Sequence, residues 1–125
     1  LKKVNNMLKP GGLCFITCLL SSGFEVNVLG QASEIFIPPV RMNILSFEGM
    51  NALIDKVTGF EVLEFSTPGV LDISNVVKQL DLVDNATFFY YLFKQRDDTE
   101  LVSSFQNFLQ LNRLGTFGRL VLRKK

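Results

Sequence analysis

The sequence predicts an α/β fold, and three observations carry that expectation. Leu13-Cys14-Phe15-Ile16-Thr17-Cys18-Leu19-Leu20 is an unbroken apolar run. It does not alternate, which is the pattern of a strand covered by helices on both faces. A helical stretch closing on Gly59 passes straight into the apolar segment Phe60–Ser66, which is half of a βαβ unit. Lys9-Pro10-Gly11-Gly12 stops a helix just before the first apolar run. The lysine suits the negative end of the helix dipole, and proline followed by glycine cannot continue the helix.

The elements follow in order. Leu1, Val4 and Leu8 recur at helical spacing, so residues 1–9 read as the end of a helix. No capping residue starts it, and the expectation is that the chain is cut from a longer one. Ser21-Ser22-Gly23 breaks the first strand, placed at 12–20. Residues 23–45 show no period, and Pro38-Pro39 forbids regular structure around them. Ser46 is a good N-cap, Glu48 lies in the first turn, and Phe47, Met50, Leu53, Ile54 and Val57 form one apolar stripe. Gly59 suits the left-handed position after that helix, with Phe60 packing back. A second strand at 60–66 ends in Thr67-Pro68-Gly69. Residues 72–113 then read as helical. Asp72 caps a helix presenting Ile73, Val76, Val77 and Leu80, while Phe88, Phe89, Tyr91, Leu92 and Phe93 mark another. Asp97 or Asp98 caps a third, with Leu101, Val102, Phe105, Phe108 and Leu109 facing inward. Gly115 ends this block, and a last strand at 117–123 runs into Lys124-Lys125. The expected organisation is a single domain over 1–125 with 72–113 as a helical insertion before the final strand.

Composition narrows the function. The chain has 125 residues, 47% hydrophobic and 20% charged, which fits one packed core and excludes disorder. A net charge of +1 gives no electrostatic case for a nucleic-acid or anionic-membrane partner, and none is expected. The run Leu13–Leu20 is far shorter than the roughly 20 residues of a spanning helix. No histidine is present, which removes Ser-His-Asp and Cys-His chemistry and most zinc sites. Cys14 and Cys18 lie four residues apart on one strand, roughly 13 Å, too far to bridge within it. They read as free thiols in a reducing cytosol. Asp81, Asp84, Asp97 and Asp98 lack the spacing of a hard-cation site and read as helix caps.

The segment Ile37-Pro38-Pro39-Val40-Arg41-Met42-Asn43 is the candidate substrate-binding element. Two prolines pre-order the loop, and Arg41 and Asn43 present polar groups in an apolar setting. A fixed arginine can grip a carboxylate or phosphate with two parallel bonds. The substrate-binding candidates are therefore Pro38, Pro39, Arg41 and Asn43. Asp72 follows the end of a strand, where open sheets bind ligands, but reads first as a cap. The run Phe88-Phe89-Tyr90-Tyr91 reads as core. Arg119, Arg123, Lys124 and Lys125 read as the solvated end of an edge strand, where charge blocks pairing. No glycine-rich loop follows a strand to cradle phosphate, because Gly11-Gly12 precedes one. No catalytic, cofactor-binding or metal-ligating residue is assigned.

Asn6-Met7-Leu8-Lys9-Pro10-Gly11-Gly12-Leu13 with its apolar strand resembles the leader into the fifth strand of class I S-adenosylmethionine-dependent methyltransferases. Ile37-Pro38-Pro39, then Leu45-Ser46 and a helix ending in Gly59-Phe60-Glu61-Val62, is similar to that family's next segment. Thr67-Pro68-Gly69-Val70-Leu71-Asp72 and Phe108-Leu109-Gln110-Leu111-Asn112-Arg113-Leu114 resemble a subset acting on bacterial sugars and surface polysaccharides. The resemblance implies the last three strands of a Rossmann-like sheet, the first two parallel and the third antiparallel between them. It implies a cytoplasmic parent that binds S-adenosylmethionine and a small-molecule methyl acceptor. The cofactor's glycine-rich turn and acidic residue would lie upstream of Leu1, so no cofactor is expected for this part alone, which would be inactive. Where the family commonly carries His after the two prolines, this chain has Arg41. The alternative is a non-catalytic binding or scaffolding domain that keeps half of the fold. With the upstream strands absent, the apolar edge at Leu13–Leu20 is expected to recruit a second copy as a symmetric dimer.

Overall fold

The structure is a computed structural model and describes residues 1–125. Helix α1 spans Lys2–Met7 and strand β1 spans Leu13–Leu19. Helix α2 is Phe24–Leu29, α3 is Phe47–Asp55, and β2 is Phe60–Ser66. Helix α4 is Asp72–Gln79, and α5 is Thr87–Tyr90, running on into a π-helical turn at Tyr91–Gln95. Helix α6 spans Thr99–Leu111 and β3 spans Phe117–Lys124. The fold is α/β, as expected.

The three strands form one sheet in the order β1-β3-β2. β3 is antiparallel to both neighbours, so β1 and β2 run the same way on either side of it. The helix stop before β1 also fastens the sheet. Gly11 sits at φ +78, which favours glycine, and Gly12 N–H donates to Lys9 O. Gly11 N–H then donates to Lys124 O, and Lys124 N–H returns a bond to Gly12 O. In α3, Ser46 Oγ accepts the Gly49 N–H at 3.0 Å, the expected cap. Gly59 after it has φ +106. Met50, Ile54 and Val57 then meet Phe60, Phe65, Leu20, Leu120 and Leu122 in the sheet's core.

Several expectations change. β1 is covered on one face only. Cys14, Ile16 and Cys18 pack into the core with Leu1 and Leu8. Leu13 is 47% exposed and Phe15 69% exposed on the other face. The apolar run therefore described a strand with one bare apolar face and not one buried twice. The helical block does not cover that face because it holds hydrophobic clusters of its own. One joins Leu29, Val76, Leu80 and Ala86, and the other joins Ile73, Leu92, Phe93 and Leu109.

The aromatic run is core only in part. Phe89 packs against these clusters, while Phe88, Tyr90 and Tyr91 are exposed because the short helix turns them outward. Residues 23–45 are not wholly irregular, since α2 lies within them. The basic residues of the last strand sit on the central strand, not an edge. Arg119 pairs with Glu64 at 2.6 Å and Arg123 with Glu61 at 2.5 Å, across to β2. Asp98 does cap α6, accepting the Leu101 N–H at 3.0 Å. No helix is long and apolar enough to cross a membrane.

Candidate functional site

Three strand ends meet at one edge of the sheet. β1 finishes at Leu19, β2 finishes at Ser66 and leads into Pro68 and Gly69, and β3 enters through Thr116 and Phe117. A cavity of about 860 Å³ opens there, outside the C-terminal ends of β1 and β2. That is where open α/β sheets bind ligands. Leu19, Pro68, Gly69 and Phe117 form its floor, and Ile35, Phe36, Ile37 and Arg41 come from the loop after α2. Glu25 comes from α2, and Asp72 and Asn75 come from α4.

Two carboxylates are buried in its wall. Glu25 is 3% exposed, taking a bond from Ser33 Oγ at 2.6 Å and one from Asn75 Nδ2 at 3.0 Å. Asp72 is also 3% exposed. Its Oδ1 accepts the Thr116 N–H at 2.6 Å and its Oδ2 accepts Gln106 Nε2 at 2.9 Å. Asp72 is thus not a helix cap. The cap position of α4 is Leu71, and the Asp72 carboxylate instead ties α4 to β3 and α6. Each acid stands in the first turn of its helix, where the helix dipole favours negative charge.

The four loop candidates are not all brought together. Arg41 reaches the cavity rim, where its Nη1 donates to Glu34 O at 3.1 Å and Ile35 O at 3.4 Å. Pro39 and Asn43 face a neighbouring hollow of about 820 Å³, lined also by Cys18, Met50 and Leu53. Arg41 borders both, and Pro38 lines neither. In that second hollow burial pushes the Cys18 thiol up, which argues against a thiolate nucleophile there.

Sequence reasoning missed Glu25, Asn75 and Thr116 as site residues, and it weighed Asp72 mainly as a cap. The signal available was faint: a single acid in the apolar run Phe24-Glu25-Val26, with its Ser33 partner eight residues away. The turn after β1 is no phosphate cradle. Its one glycine, Gly23, has its bare face filled, since a Cβ there would lie 2.4 Å from Thr116 Cα. No protein-family model, curated protein or solved structure matches the chain.

Proposed function

We propose that the chain is the C-terminal, substrate-side part of a class I S-adenosylmethionine-dependent methyltransferase, inactive by itself and cytoplasmic. The observation that supports this best is the strand order. β3 runs antiparallel between two strands of common direction, as the resemblance implies for the end of a Rossmann-like sheet. The Lys9-Pro10-Gly11-Gly12 turn enters that sheet where the family's leader would. The strand-end cavity is then the pocket for a small-molecule methyl acceptor, and the helical block 72–113 supplies one of its walls.

In such an enzyme the cofactor supplies an electrophilic methyl group. The residues here are not assigned to holding that cofactor. Their work is to hold and orient the acceptor and exclude water, which is most of what alignment-driven transfer requires. Asp72 and Gln106 fix the wall, and Arg41 sits at the rim. Arg41 in place of the family's usual His favours the second reading, a non-catalytic binding domain on the same half-fold. The gene upstream of Leu1 separates the two. A glycine-rich strand-to-helix turn followed by an acidic strand end is expected for the enzyme, and a coding sequence without them removes it.

The outer edge of β1 carries no partner strand. This supports self-association of the isolated 125 residues across that edge.

A further inference from the structure

The loop after α2 carries Arg41 into the lining of the second hollow, of about 820 Å³, which is bordered by the end of β1 and by α3. Arg41 is the only charged residue of that lining. Its guanidinium has no carboxylate partner, since the protein's four ion pairs use other cations. Only Nη1 is committed, donating to Glu34 O at 3.1 Å and Ile35 O at 3.4 Å. Those two bonds fix the group, and they go to residues that line the strand-end cavity and not this hollow. Nε and Nη2 are left without partners in the fold. The same edge of the guanidinium holds a carboxylate twice elsewhere in the protein. Arg119 grips Glu64 through Nε at 2.9 Å and Nη2 at 2.6 Å, and Arg123 grips Glu61 through Nε at 2.9 Å and Nη2 at 2.5 Å.

The rest of the lining describes the remainder of a ligand. Val40, Met42, Ile44, Leu45, Met50 and Leu53 offer aliphatic and thioether surface, and no aromatic ring is among the lining residues. Unbranched methionines adapt to a flexible chain, whereas a flat ring gains most from aromatic neighbours. Val40 is 77% exposed and Met42 81% exposed, so apolar surface stands in water beside the one cation. Burial raises the Cys18 pKa, so that thiol adds no negative charge to repel an anion. Asn43 brings a side-chain amide to the same lining. The volume suits one small organic molecule.

We infer that this second hollow binds an aliphatic carboxylate, its carboxylate held by the Nε and Nη2 edge of Arg41 and its chain lying against Met42, Met50 and Leu53. Charge complementarity selects this occupant, because the one charged group of the lining is a fixed arginine with a free two-donor edge. The site is separate from the strand-end cavity, and the inference does not rest on the methyltransferase reading.

The test is a titration of the isotope-labelled chain, followed by amide shifts, with three probes of one chain length: octanoate, 1-octanol and octylammonium. Octanoate should move the amides of Val40, Asn43 and Leu53. It should bind about tenfold more tightly than the alcohol, the difference between a charged and a neutral hydrogen bond. Arg41→Gln should remove that preference. Arg41→Lys keeps the charge without the two-donor edge, and should restore only part of it. The ranking of probes on the unaltered chain is independent of whether either variant folds. Equal binding of the alcohol, preference for the ammonium, or shifts confined to Asn75 and Thr116 of the strand-end cavity overturns the inference. So does an octanoate preference that survives in a folded Arg41→Gln chain.

Discussion

At Asp72 a single carboxylate joins three segments, through the Thr116 N–H and Gln106 Nε2, while Gln106 Oε1 accepts the Ile73 N–H. Asp72→Ala strips partners from a buried N–H and a buried amide. The expected loss is about 2–4 kcal/mol of unfolding free energy, read from urea denaturation. Asp72→Asn should lose less, because it keeps an acceptor for Thr116. Glu64 makes a different kind of claim. A hydrogen bond from Ser66, then those from Arg119, hold its carboxyl below the usual range. A depressed carboxyl stabilises the fold at pH above the ordinary glutamate value, and that contribution is lost as pH falls through the lower folded value. An NMR titration should show a midpoint below that of a free glutamate, moving upward in Arg119→Ala. At this scale the sequence was partly legible. Arg41 stood out because two prolines precede it. Glu25 did not, because its partners Ser33 and Asn75 are distant in the chain and obey no period.

Among the elements, β1 shows what periodicity can and cannot say. An apolar run of eight residues located the strand, but could not report that one face stays bare. Its hydrogen bonds give the edge a definite geometry. Leu20 N–H donates to Thr116 O, and Gly12 O accepts from Lys124, so even-numbered residues point their backbone groups toward β3. Leu13, Phe15, Thr17 and Leu19 point theirs to the free edge. Two copies of β1 paired antiparallel over their whole length place Cys14 opposite Cys18 of the other copy. That pair is a non-hydrogen-bonded one, with Cα atoms about 4.5 Å apart, within the reach of a disulfide. Mild oxidation should yield a dimer linked Cys14 to Cys18, mapped by peptide mass, and light scattering should show self-association beforehand. A clean monomer at high concentration contradicts this. β2 is a poorer template for pairing, since a bulge between Val62 and Glu64 and the acids Glu61 and Glu64 interrupt it. The helix α2 escaped notice because Phe24-Glu25-Val26-Asn27-Val28-Leu29 is short, half valine and leucine, and uncapped. Tertiary packing holds it: Phe24 stands edge-on to Phe89 at 5.2 Å and to Phe105 at 5.3 Å.

For the whole molecule, the sheet and helical block carry separate hydrophobic clusters, and the cavity lies where strand ends and helices meet. The class α/β and all three strands were legible from apolar runs and their stops. The position of β3 between the other two was not readable from any run; it came only with the family resemblance. The cavity was illegible for a plainer reason. Its wall draws on positions near 19, 25, 35–41, 68–75 and 116, which nothing local connects. The central claim is that these residues hold an acceptor while another part of a larger enzyme holds S-adenosylmethionine. Calorimetric titration of S-adenosylmethionine into the 125-residue chain and the full-length parent, side by side, tests it most directly. Binding heat from the parent and none from the chain is the predicted result. Saturable binding by the chain alone, or none by the parent, would contradict it.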